Sequence, residues 1–234
     1  MVGMIFSRGC FVFWVGLAMA SPTHADDAAG IIASLKGPAW KAVLPGKLEG
    51  KGEKEFQEWT QWFSKVPEYN KPDWPKLTVE AHQRLAPWFD GATKITLYSL
   101  LPAETREIDS LYPDKTARLK RLPAFHDYPI LGSVAFEKTD EVMAWRSFLQ
   151  TQIIARERMM CDFEPRHGFR FSTAKGDVDV LMCYHCGALV LYAPGNEKAN
   201  KIDLSEPFMR PGFWGFSKEI INLIFDDRGI ERDK

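Results

Sequence analysis

Hydrophobic and polar positions change their period along the chain. Asp27–Lys36 has a short helical pattern, and Gly and Pro then dominate as far as Gly52. From Glu53 to Lys65, Phe56, Trp59 and Phe63 recur at i, i+3 and i+7, which is one stripe of a helix that Pro67 ends. A loop with three prolines follows, and Thr78 is placed to cap a second helix over Val79–Ala86, stopped near Pro87. Trp40, Trp59, Trp62, Trp74 and Trp88 all lie in this half. Aromatics at helical spacing read as packing rather than as a sugar- or peptide-binding groove.

From Ala92 the pattern changes. ITLYSL (Ile95–Leu100) alternates and YPILGSVAF (Tyr128–Phe136) is rich in strand formers, with a polar connection of helical content, Pro102–Pro123, between them. Asp140 then caps a helix through about Met159, with Val142, Trp145, Leu149 and Ile153 as its buried stripe. Asp140 and Glu141 near its start and Arg156 and Arg158 near its end complement the helix dipole. Three more strands follow: FRFST (Phe169–Thr173), DVDVLM (Asp177–Met182) and GALVLYA (Gly187–Ala193). Ala174–Gly176 reads as a three-residue hairpin loop between the first two. The last helix is Ser217–Asp227, capped by Ser217, buried through Ile220, Ile221 and Ile224, and terminated by Gly229. The order β-β-α-β-β-β-α predicts an α+β fold, a mostly antiparallel sheet with packed helices, plus a helical N-terminal extension.

The N-terminus has its own logic. Arg8 is followed by 11 apolar residues, Cys10–Ala20, and then by polar SPTHADD. This is the layout of a secretory signal peptide, with cleavage after Ala25 or Ala20. The run is too short to span a bilayer, and Ser7, Arg8 and Gly9 do not form a lipoprotein site before Cys10. The expected organisation is a signal peptide at 1–25, a helical region at 26–91 and an α+β domain at 92–234. The mature chain is expected to be periplasmic or secreted, with no transmembrane segment after cleavage.

Charge excludes some partners. Thirty basic and 31 acidic residues give a net charge of −1, which offers no electrostatic reason to bind nucleic acid. The basic run Lys115–Arg121 reads as a solvated face.

Export changes the meaning of the cysteines. Cys10 leaves with the signal, and Cys161, Cys183 and Cys186 remain. An odd number leaves one thiol over, or points to chemistry that uses three at once. If Thr173 pairs with Asp177, His167 falls opposite Cys183. C-x-x-C-G at Cys183–Gly187 has the form of a zinc knuckle, and Pro165 bends the chain between Cys161 and His167. Cys161, His167, Cys183 and Cys186 then make a closed tetrahedral set for Zn²⁺. Thiolates with imidazole suit Zn²⁺ or Cu(I) better than Mg²⁺ or Ca²⁺. The alternatives are a disulfide among the three cysteines, a redox dithiol and a reversible metal-handling site. Arg166 reads as a partner of Glu164 or Asp162 or as a surface group, and His126 as a hydrogen-bonded structural histidine. His185 reads as exposed, and Asp177 and Asp179 as solvent-facing.

Three segments, FHDYPILG (Phe125–Gly132), CDFEPRHGFR (Cys161–Arg170) and DVLMCYHC (Asp179–Cys186), resemble a family of exported bacterial proteins, many of them lipoproteins, that have no assigned activity. The resemblance covers about the last 140 residues. It implies that the three cysteines and His167 belong to one motif, and it supplies no catalytic residues. No G-x-S-x-G, Gly-rich phosphate loop or H-E-x-x-H is present. The expected function is that of a non-enzymatic exported module with a structural Cys₃His zinc site.

Overall fold

A computed structural model of the chain describes residues 39–63, 65, 74–102, 121–157, 163–185, 187–194, 209–213 and 215–233. The signal peptide expected at 1–25, the helix expected at Asp27–Lys36, the loop at 66–73 and the connection at 103–120 lie outside the described residues.

The fold is α+β. Among the described residues the helices are α1 (Glu49–Phe63), α2 (Trp74–Leu85), α3 (Thr139–Gln150) and α4 (Gly215–Asp227). The strands are β1 (Ala92–Leu100), β2 (Ala124–Phe125), β3 (Tyr128–Phe136), β4 (Ile153–Glu157), β5 (His167–Thr173), β6 (Gly176–Cys183), β7 (Ala188–Tyr192) and β8 (Met209–Phe213). Six of them form an antiparallel sheet in the order β2-β3-β1-β5-β6-β7, and β4 pairs with β8 apart from it.

Both faces of the sheet are covered. The inner face carries Leu97 of β1, Phe169 and Phe171 of β5, and Val178, Val180 and Met182 of β6. These pack into one cluster with Trp145 and Phe148 of α3 and Ile221 and Phe225 of α4. Each such side chain, fully buried, contributes roughly 1.5–3 kcal/mol. Trp40, Leu44, Leu85 and Phe89 belong to the same cluster, so the region before Ala92 shares the sheet's core. The outer face carries a smaller cluster of Leu100, Phe125 and Leu181, with Tyr98, Tyr128, Val190 and Tyr192 packed against it.

Several boundaries differ from the sequence reading, each for a physical reason. Helix α1 starts at Glu49 and runs through Gly50 and Gly52. A Cβ on Gly52 would lie 2.4 Å from Leu44 and 2.5 Å from the Trp40 ring, so glycine lets the helix lie on that indole. Thr78 is no cap. It is fully buried inside α2, whose first turn accommodates Pro75. Asp140 sits in the first turn of α3 rather than at its cap, and Lys138 caps it by backbone position. Helix α3 stops at Gln150, well before Met159, and Ile153 is buried in β4 instead of on a helical stripe. The β-branched pair Ile153–Ile154 favours a strand, and pairing with β8 supplies its ladder. Strands β2, β4 and β8 were not expected: β2 has two residues, and β8 contains Pro211 and Gly212, which argue against a strand. Ser217 likewise lies within α4 and is not its cap. Gly229 does end α4, at φ +64°. Ile230 N donates to Phe225 O at 2.8 Å and Gly229 N to Asp226 O at 3.2 Å, the Schellman pattern.

Gly168 on β5 shows how tightly the outer face is closed. A Cβ there would meet the Phe125 ring at 2.7 Å and Leu100 at 3.2 Å. Gly168→Ala should therefore destabilise the protein by about 1–3 kcal/mol, the usual cost of overpacking. Urea unfolding of Gly168→Ala and of Gly168→Ala/Phe125→Leu checks this, with the second change restoring part of the loss.

Candidate functional site

The β5–β6 hairpin has a different register from the expected one. Thr173 pairs with Gly176, so the loop is the two residues Ala174–Lys175, and His167 lies opposite Met182 rather than Cys183. The Thr173 side chain closes this tighter loop: Lys175 N donates to Thr173 Oγ1 at 3.1 Å, and Oγ1 donates to Gly176 O at 2.8 Å. Gly176 supplies a φ of +119° that other residues avoid. One residue of slip moves a side chain to the other face. His167 and Met182, directly opposed, share the inner face, and Cys183 leaves the sheet on the outer one. The pairing that would have set His167 beside Cys183 is thus corrected. Cys161 and Cys186 lie outside the described residues. Cys183 is buried, at 1% exposure, at the end of β6. The turn residues Tyr184, His185 and Gly187 follow it toward β7, and Gly187 has φ +59°. His185 is exposed, as expected.

On the inner face His167 is held against α4. Its Nε2 lies 3.0 Å from Asn222 Oδ1. An amide oxygen only accepts, so Nε2 carries the proton and Nδ1 keeps its lone pair. Nδ1 is buried and has no hydrogen-bond partner among the described residues. The ring stacks on Phe225 and meets the Tyr184 ring edge-on at 5.2 Å. Burial pushes the imidazole down to about 4. The Asn222 bond opposes this, and the charges of Lys218, Arg232 and Arg166 add to it. His167 is therefore neutral at pH 7. Tyr184 reaches the same helix, its hydroxyl 3.1 Å from Ser217 Oγ.

The outer face holds a second polar cluster. Arg170 Nε and Nη2 donate to both oxygens of Asp179, at 2.8 and 2.7 Å. His126 Nε2 donates to Asp179 Oδ2 at 3.1 Å and its ring stacks on Tyr192, with centroids 3.8 Å apart. Asp179 is 6% exposed, so it does not face solvent as its alternation with Asp177 suggested. Burial raises its carboxyl pKa, but hydrogen bonds from Arg170 and then His126 outweigh burial and leave it below the usual value. His126 is the structural histidine the sequence predicted. It stands at φ +54°, in the two-residue turn between β2 and β3. A left-handed non-glycine residue costs about 1–2 kcal/mol, and the turn keeps an imidazole there that ties β2–β3 to β6.

The three motif segments meet around the start of β5. Phe125 covers Gly168, His126 binds Asp179, and Tyr128 OH donates to Phe163 O at 3.4 Å. Arg166 pairs with Asp233 of the C-terminal tail, and Asp162, one of its expected partners, lies outside the described residues. Sequence reasoning missed Asn222, Ser217 and Tyr184 as partners. Asn222 among the isoleucines of α4 was the available signal, because a polar residue on a buried stripe needs a mate. Among the described residues no three His, Cys, Asp or Glu side chains form a metal-binding group, and no described helix is long and apolar enough to cross a membrane. Compared with known proteins, the chain matches no described family, no curated protein and no solved structure.

Two predictions follow the two faces. On the inner face, the unfolded chain takes up a proton near pH 6.5 that folded His167 refuses until about 4. The stability tied to a neutral His167 is complete above pH 6.5, is lost as pH falls toward 4, and changes no further below that. The ceiling is roughly 3 kcal/mol. As pH falls across this window, wild type should lose unfolding free energy relative to His167→Gln, and a pH-independent difference would contradict a neutral buried imidazole. On the outer face, Asp179→Asn should cost about 2–3 kcal/mol, between the values for exposed and buried ion pairs, measured by thermal unfolding at neutral pH.

Proposed function

We propose that this chain is an exported, non-enzymatic module, periplasmic or secreted, whose β6–β7 turn is clamped by a structural zinc ion through the thiolates of Cys161, Cys183 and Cys186. One observation supports the reading most. The C-x-x-C-G segment forms the tight connection between two antiparallel strands, with Gly187 at positive φ. A knuckle needs that glycine so the chain can double back beneath the metal. A redox dithiol gains thiolate stability at a helix N-terminus, and Cys183 instead ends a strand.

His167, the fourth ligand expected from the sequence, faces α4 from the opposite side of the sheet. The fourth position therefore falls to another group, and exposed His185 within the turn is the imidazole nearest in sequence. Three thiolates still favour Zn²⁺ or Cu(I) over hard cations.

Protein purified from the periplasm should carry about one zinc per chain, by elemental analysis, since structural zinc sites are filled stoichiometrically. Chelation should lower its melting temperature sharply, because such sites supply ~10 kcal/mol or more of folding free energy. Cys183→Ser should lose the metal, whereas His167→Gln should keep it. Metal-free protein with an unchanged melting temperature overturns the reading, and a thiol titration of that protein then reports whether a disulfide has taken the metal's place.

A further inference from the structure

The segment after α4 folds back onto the sheet. Residues 230–233 are neither helix nor strand, and Gly229, at φ +64°, turns the chain into them. Ile230 seats on Gly132 of β3, where a Cβ would lie 2.6 Å from its Cγ2. Only glycine leaves that slot open to an aliphatic side chain. Three residues later Asp233 pairs with Arg166, just before β5, and keeps 15% of its side chain exposed. Gly132 pairs with Ser99 of β1, and Ser99 pairs with His167, the chain neighbour of Arg166. The slot and the guanidinium therefore stand two strand spacings apart, about 10 Å. Three extended residues also cover about 10 Å. The segment lies across β1 as an extended ligand would, with one apolar anchor and one charged anchor.

We propose that this groove is a docking site for an extended peptide, and that Ile230–Asp233 is its built-in competitor. The partner it fits carries an aliphatic side chain and, three residues further on, a carboxylate. The inference is independent of any metal at the cysteines. Two physical points lead from the contact to a docking site. Releasing the segment uncovers an apolar slot and takes from Arg166 the carboxylate it pairs with, and a partner of the same chemistry restores both. Closure is also close to balanced. One half-buried isoleucine and one ion pair are set against the entropy of ordering four residues. Arg232 steadies the closed form by binding both carboxylate oxygens of Asp226 on α4, at 2.8 and 2.9 Å. Helix α4 does not depend on the segment, because Ile220, Ile221, Ile224 and Phe225 hold it in the main core. The strap therefore opens as a local event, without unfolding the helix before it.

The test is an NMR titration of the full chain with the end-blocked peptide Gly-Ile-Glu-Arg-Asp, the sequence of residues 229–233. It is run on wild type and on Ile230→Ser/Asp233→Ser, which removes both anchors of the strap. Asp233→Asn, which keeps the apolar plug, takes its place if the double variant does not fold. The open variant should bind saturably, with shifts at Gly132 and Arg166. Wild type should bind at least about tenfold more weakly, because its groove is free in fewer than about one chain in ten. Adding Arg166→Glu to the open variant should abolish this binding and admit instead a peptide whose aspartate is replaced by arginine. A folded open variant that does not bind, binding that survives Arg166→Glu, or equal affinity in wild type and open variant overturns the proposal.

Discussion

The register of β5 against β6 is the constraint on which the rest of the arrangement depends. Away from its loop the hairpin is covered on both faces, so most of its residues are committed to one of two different interiors. Thr173 and Gly176 close a two-residue loop, and that closure sends Phe169, Phe171, Val178 and Val180 inward and Arg170, Asp179 and Leu181 outward. A slip of one residue in β6 would turn Val178 and Val180 out and carry Asp179 into the main core, away from Arg170. The hydroxyl of Thr173 and the positive φ of Gly176 are small local features, but they select between two packings that could not both be satisfied.

Around that hairpin, the segment Arg166–Arg170 works as a hub. Its successive residues hold different parts of the chain: Arg166 takes the C-terminal tail through Asp233, His167 takes α4 through Asn222, Gly168 admits Phe125, and Arg170 binds Asp179. Strand alternation explains the division of labour, since neighbouring side chains point to opposite faces. A run of residues this dense in motif character need not be a catalytic or ligand-binding centre. Here it is accounted for by docking, with Cys183, one residue beyond Met182 at the end of β6, as a separate question.

Much of the fold was legible from periodicity. The two longest alternating segments became β1 and β3, and the isoleucine stripe with its glycine stop became α4. Elements whose formation depends on distant partners were not legible. Strand β8 carries a proline and a glycine and exists because β4 pairs with it. Helix α1 tolerates Gly52 because Trp40 and Leu44 fill the space a side chain would take. The candidate site divided in the same way. The C-x-x-C-G turn followed from local spelling, whereas the placement of His167 required the hairpin register, and the loop sequence Ala-Lys-Gly fits a two-residue or a three-residue connection equally well. Only the bonding of Thr173 distinguishes them.

Polar groups buried in this sheet carry information that its apolar groups do not. Leucines and phenylalanines tell an element to be buried, and many arrangements of a core satisfy them almost equally. A buried carboxylate or imidazole accepts far fewer partners, because leaving it unpaired costs more than a lost contact. Asp179 therefore specifies that the β2–β3 turn closes over β6, through a histidine that tolerates a left-handed backbone to reach it. His167 and Tyr184 specify the rotation of α4 about its own axis, since Asn222 and Ser217 must meet them at the same time. On each face the polar pair fixes what hydrophobic packing leaves free. That is the physical reason these residues lie at the junctions between elements and not in the middle of the core.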